Sequence, residues 1–276
     1  SRRHWILIGG SAVVIGRVVA LAQSALVRAF DATLPDARGI SRFSRPGTIT
    51  LLASDGAVIQ KLGPATREKI KPGEMPLLVK QAFIAAEDRR FYEHNGVDIW
   101  GIGRALVRNV RQGAVREGAS TITQQLARTV FLSQDRTITR KIKEAALAYK
   151  LERQLSKEQI LEQYLNYVYL GASAYGLSDA AWVYFSKTPN QLNLQEAALI
   201  AGLPPAPSVY SPLVNPDLAL ERRSVVLNRM HQAGFITAGE AERARTSPLD
   251  LEPAIPKYFN SSAPYFTSWV AQQLPE

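Results

Sequence analysis

The chain has 276 residues, ample apolar content for a core and no cysteine, which excludes disulfides, thiolate metal sites and a cysteine nucleophile. Its three histidines, His4, His94 and His231, exclude a histidine-rich metal centre and argue against a Ser-His-Asp triad. The net charge of +9 calls for an anionic partner, whether nucleic acid, anionic lipid or a phosphorylated substrate; eleven Lys/Arg against four Asp/Glu between Trp100 and Gln154 put +7 of it in one span.

Residues 5–27, WILIGGSAVVIGRVVALAQSALV, carry Arg17 as their single charge and are long enough to span a bilayer. Arg2 and Arg3 precede this run, so the positive-inside rule keeps the N-terminus cytoplasmic and sends everything after Arg28 outward. A cleaved signal peptide is the alternative, since Ala20-Leu21-Ala22 resembles a processing site, but the apolar run continues beyond it. Outward topology argues against nucleic acid as the anionic partner.

A polar linker leads to TITLLASDGAVIQKLG (48–63), where β-branched and apolar residues flank Asp55-Gly56, the signature of a hairpin. From about residue 65 the signals are helical. The apolar run QAFIAA ends in Glu87 and Asp88, with Asn95-Gly96 as a stop. Ile99, Trp100, Ile102, Leu106, Val107 and Val110 interleave with Arg104, Arg108 and Arg111, a pattern suited to a membrane interface; a plain surface helix is the alternative. Ser120 can cap the helix TITQQLARTVFL, whose first N–H groups can receive a phosphate.

Arg140 to Leu155 is a run of helix formers in which Arg136, Arg140 and Glu144 share a face. An Arg140–Glu144 ion pair is the plain reading there, although base-before-acid is its weaker order. Ser156 with Gln159 opens the next helix, ended by Gly171. Asn193 with Glu196 opens another, Asn215-Pro216 starts one running to Gly234, and Thr237 with Glu240 starts a short last one. Read in isolation, residues 157–171 and 221–230 are core-packing helices. The residues therefore predict a mainly α domain behind a short β segment.

Five stretches in order, EDRRFYEHNG, GASTITQQ, RKIKEAALAYKLE, ILEQYLNYVYLG and RRSVVLNRM, resemble the motifs of the peptidoglycan glycosyltransferases, glycosyltransferase family fifty-one, as found in class A penicillin-binding proteins. The resemblance implies a lysozyme-like helical domain over 65–235, behind an anchor (1–28) and a linker with the hairpin (29–64). Residues 236–276 resemble the linker toward a transpeptidase domain. It also implies a substrate, lipid II, polymerised with inversion onto the growing glycan chain at the outer face of a bacterial plasma membrane, alongside other cell-wall synthesis proteins.

By their match to the motifs, Glu87 is the general base and Glu144 the second glutamate, with room for a divalent cation (Mg2+ or Mn2+) at Glu144. Arg128, Arg136 and Arg140 are expected to hold the pyrophosphate, with Ser120, Thr121, Gln124 and Gln125 as donors and Lys141 and Lys143 beside them. Many family members carry lysine where this chain has Arg128. Asp88, Phe91 and His94 complete the expected substrate region, Asp88 and His94 as orienting groups and Phe91 as packing. A glycan-cleaving muramidase and a catalytically inactive membrane scaffold are the competing readings. A hydrolase has no pyrophosphate to hold, and both glutamates are present.

Overall fold

The computed structural model describes residues 34–36, 39–40, 43, 49–62, 69–71, 73–112, 120–132, 137–254, 261 and 263–273. The expected anchor over 1–28 and Arg136 lie outside them.

The hairpin forms where Asp55-Gly56 predicts it. β1 (Ile49–Leu52) pairs antiparallel with β2 (Val58–Leu62), and a bulge falls between Leu51 and Leu52. Gly56 turns the chain at φ 83°, and Asp55 Oδ1 accepts the Ala57 N–H at 2.9 Å.

The other elements among the described residues are helical. α1 (Leu77–Glu87) is apolar nearly all round and buries Val79, Ala82, Phe83, Ile84, Ala85 and Ala86, so it runs through the interior. α2 (Ile99–Gln112) follows, then α3 (Ile122–Phe131), α4 (Ile138–Gln154), α5 (Lys157–Tyr167), α6 (Leu177–Phe185), α7 (Leu194–Ala201), α8 (Pro216–Gln232), α9 (Ala238–Thr246) and α10 (Pro264–Gln273). α1 packs on α7 and α8 on one side of the core, while α3 packs on α4 and α5.

Three predicted capping boxes open α5, α7 and α9, at Ser156/Gln159, Asn193/Glu196 and Thr237/Glu240. At α3 the cap is Thr121 and not Ser120. Thr121 Oγ1 accepts the Gln124 N–H at 3.1 Å, and Gln124 Oε1 accepts the Thr121 N–H at 3.0 Å. α1 stops at Glu87, well before Asn95-Gly96, because Asp88 adopts φ −156° and leaves the helix. α5 ends at Tyr167 rather than Gly171, since Val168 to Gly176 fold back through a Tyr169–Tyr175 bridge.

Gly96 shows why the turn after α1 needs a glycine. It sits at φ 90°, and a Cβ there would lie 2.7 Å from the Ala148 carbonyl carbon on α4. Gly96→Ala is therefore expected to cost about 3 kcal/mol, combining left-handed strain with displacement of a packed helix, as a thermal melt would read.

Candidate active site

Glu87 ends α1, half-buried at the wall of a cavity of about 460 Å³. A carboxylate at a helix C-terminus faces the negative end of the dipole, so it needs positive neighbours. They come from α8: Arg229 donates through Nη1 to the Ala86 carbonyl, and both Arg222 and Arg229 line the same cavity. Gln125 on α3 donates from Nε2 to Glu87 Oε2 at 2.8 Å. Burial pushes the Glu87 carboxyl above its ordinary value, opposed by the Gln125 hydrogen bond and the two arginines and reinforced by Asp88. A carboxylate with a raised pKa that faces a cavity is the usual form of a general base.

Asp88, next in sequence, points the other way. His94 Nε2 lies 3.0 Å from each of its oxygens, and Oδ2 also accepts the Ile122 N–H at 3.1 Å. The Gly96 N–H donates to His94 Nδ1 at 3.2 Å, which puts the imidazole proton on Nε2, facing the carboxylate. Thr121 Oγ1 donates to the Gly96 carbonyl at 2.6 Å. This buried network fastens the start of α3 to the end of α1 and so sets Gln125 against Glu87.

The network sorts the residues expected around the substrate. The N–H groups of Thr121, Ile122 and Gln124 are already engaged by Gln124, Asp88 and Thr121, so the start of α3 is not an open anion cradle. Gln124 is spent in the capping box, and His94 lies behind Asp88, outside the cavity wall. Phe91 is fully buried, edge-on to Tyr92 and His94 with Lys157 Nζ 4.5 Å from its ring centre, and cannot meet a substrate. Ser120, Thr121, Gln125 and Arg128 do line the cavity, as does the edge of Asp88.

Five arginines, 89, 104, 128, 222 and 229, and three acids, Glu87, Asp88 and Asp98, line the cavity. Arg222 stacks over Tyr210, 5.0 Å from the ring centre, with Nε toward the Gly202 carbonyl at 3.4 Å. Asp98 folds over Gly101, where a Cβ would come within 2.4 Å of its Oδ2, and holds Arg90 at 3.2 Å. Sequence reasoning left out Arg222 and Arg229, treating their helix as core. Their spacing of seven residues, two helical turns, is the signal that places both on one face.

Glu144 is completely buried and stands outside the cavity wall. Arg140 Nη1 reaches Oε1 at 2.7 Å, and Lys141 Nζ reaches Oε2 at 2.8 Å. The ion pair disfavoured by residue order thus forms, because a buried carboxylate must be neutralised whatever the surface preference. Lys141 Nζ also donates to Ser120 Oγ at 2.7 Å and so links this cluster to the cavity. Lys143 is half-buried on the same helix. The donor set does not fit a divalent cation: both Glu144 oxygens are held by cations, and among the described residues no three acidic, histidine or cysteine side chains cluster to hold a metal.

Comparison with known proteins places these features in a family. The transglycosylase family model matches residues 55–231. Penicillin-binding protein 1A of Neisseria flavescens is 46% identical over 243 residues, covering 88% of this chain and 30% of that protein. Penicillin-binding protein 1A of Escherichia coli (strain K12) is 45% identical over 249 residues, covering 90% of this chain and 29% of that protein. The crystal structure of penicillin-binding protein 1A from Haemophilus influenzae aligns over 82% of this chain and 24% of its own, at 26% identity and a TM-score of 0.45. The chain thus spans under a third of the length of these curated relatives, and the family match covers the residues that build the cavity. The chain belongs to the transglycosylase family.

Proposed function

We propose that the chain is a peptidoglycan glycosyltransferase that polymerises lipid II into glycan strands. Glu87 takes the proton from the 4-hydroxyl of the acceptor N-acetylglucosamine as that oxygen attacks the anomeric carbon of the donor chain. The bond to the lipid pyrophosphate breaks with its electron pair, and the configuration inverts from α to β. The observation that carries this reading is a half-buried carboxylate of raised pKa within a cavity lined by five arginines. A sugar hydroxyl needs a base, and a departing pyrophosphate needs positive charge fixed in advance. Arg128 stands one helical turn from Gln125 on the cavity wall, and Arg222 and Arg229 approach from α8, so both faces of the cavity offer guanidinium groups to phosphate oxygens. The Arg140–Lys141–Glu144 cluster supports that wall through Ser120.

On this reading the domain is lysozyme-like and works at the outer face of the plasma membrane, with residues 1–28 as its anchor. Among the described residues no helix is long and apolar enough to cross a membrane. α2 offers a second attachment: Ile99, Trp100 and Ile102 are exposed on it while Ala105 is buried. The side chains of Leu106, Val107, Arg108, Val110 and Arg111, which belong to the same expected stripe, lie outside the described ones. With residues 1–28 deleted, replacing Trp100 and Ile102 by serine is expected to cut flotation with anionic liposomes by at least about tenfold, a lower bound for withdrawing two large apolar side chains that enter the interface only in part. Unchanged flotation would leave α2 a plain surface helix.

The function itself is tested by supplying lipid II in one arm and preformed glycan strands in another. Polymer from the first and no cleavage of the second is expected. Cleavage without polymer would make the chain a muramidase, and neither product would make it a scaffold.

A further inference from the structure

Behind Gln125 stands a residue with no part in the chemistry described so far. Tyr164 on α5 is 1% exposed, and its hydroxyl donates to Gln125 Oε1 at 3.2 Å while Gln125 Nε2 donates onward to Glu87 Oε2 at 2.8 Å. One hydrogen-bond chain thus joins α5, α3 and α1. We propose that Tyr164 is a positioning residue for Glu87, acting through Gln125: its hydroxyl decides which end of the Gln125 amide faces the carboxylate. The proposal rests on the reading of Glu87 as the base.

A side-chain amide has two ends of nearly equal shape and opposite polarity. With its NH2 toward Glu87, Gln125 stabilises the ionised carboxylate. With its oxygen there, it would set two acceptors against each other. Nothing in the amide itself makes the choice. Tyr164 makes it by presenting a donor to the oxygen end.

Burial, and the charge on Glu87 after it, raise the phenol well above its ordinary value, with Asp88 adding and Arg128 opposing, so it stays protonated and donating wherever the enzyme works. The ring is held independently of the hydroxyl. It packs edge-on against Phe83, one turn before Glu87 on α1, with centroids 6.2 Å apart. Tyr164→Phe therefore removes the donor and keeps the packing.

The charged groups around Glu87 are Asp88 from its own chain segment and Arg222 and Arg229 from α8; Gln125 is its neutral hydrogen-bond partner from α3. The arginines remain in Tyr164→Phe, so the ionised form is weakened by the Gln125 contribution and not abolished. Losing an oriented hydrogen bond to a charged group is worth about one pH unit, or roughly tenfold in the ionised fraction below the pKa.

The experiment measures initial rates of lipid II polymerisation against pH for the wild type, Tyr164→Phe, Gln125→Leu, the double variant and Glu87→Gln. The acid limb of Tyr164→Phe is expected to move up by about one pH unit, with kcat lowered near that limb, KM within about twofold and the loss fading as pH rises. Gln125→Leu is expected to show the same displacement, with Tyr164→Phe adding nothing further in its background. A Tyr164→Phe limb superimposed on that of the wild type would overturn the proposal, as would a shift that adds in full to that of Gln125→Leu. Should Glu87→Gln itself remain near wild-type rate, the base reading fails and the proposal falls with it. An inactive Glu87→Gln beside an unshifted Tyr164→Phe sinks the positioning role alone.

Discussion

Replacing Glu87 by glutamine is expected to slow lipid II polymerisation by roughly 10²–10⁴-fold, the scale for removing a positioned base, with lipid II still bound. The amide keeps the size of the side chain and can still meet Gln125, while Arg128, Arg222 and Arg229 stay on the cavity wall, where the proposed function has them meet the pyrophosphate. Stability is expected to move the opposite way from activity. The folded-state pKa of Glu87 is raised above 4.5, so ionising it costs folding free energy as pH climbs through that raised value. Below 4.5 the carboxyl is protonated in folded and unfolded chains alike, and the cost vanishes. Glu87→Gln should therefore melt at or above the wild-type temperature at neutral pH, with the gap closing as pH falls toward 4.5. A helix-end residue without catalytic duty would give near-normal turnover and a modest loss of stability.

Glu144→Gln is expected to fail differently. It leaves Arg140 and Lys141 facing a neutral amide where both carboxylate oxygens had been in ion pairs. The stability cost is about 3 kcal/mol, at the low end for a broken buried pair because Lys141 is 46% exposed and can turn to water. Lys141 also holds Ser120 at the cavity wall, so the polymerisation rate should drop as well, by up to about 10²-fold for a shift of that wall. Added Mg2+ or Mn2+ is not expected to restore it, since the lost group had no coordination site to offer. Chemical denaturation and initial rates with and without metal, measured on one preparation, check both parts.

The contrast between the glutamates marks where the sequence could be read and where it could not. Capping boxes at Ser156, Asn193 and Thr237 were legible because cap and partner lie three residues apart. The same rule favours Thr121 over Ser120, since Gln124 stands three after Thr121 whereas Thr123 stands three after Ser120. The hairpin was legible for a similar reason, in the local chemistry of Asp55-Gly56.

What escaped were partnerships made across the fold. The start of α3 has the composition of an anion site, but its N–H groups are claimed by Asp88, 34 residues earlier. Arg229 reaches the end of α1 from 143 residues away, and its helix looks like core because Arg223, Val226, Leu227 and Met230 truly are buried. Arg223 illustrates the difficulty: seven residues before Met230, it spends its guanidinium on the Arg245, Ser247 and Pro248 carbonyls, while its neighbour Arg222 faces the cavity. Two adjacent arginines have opposite duties, and only packing separates them. For the Arg140–Glu144 pair, residue order is a guide to exposed helices only, and burial overrides it.

The pH dependence of the initial polymerisation rate, measured for the wild type and for the residual activity of Glu87→Gln, tests the central claim most directly. If Glu87 is a base whose pKa burial has raised, the wild-type rate falls with a single ionisation as pH drops through a value above 4.5, and the variant lacks that ionisation. A wild-type profile that stays flat down to 4.5, or the same acid limb persisting in Glu87→Gln, would contradict it.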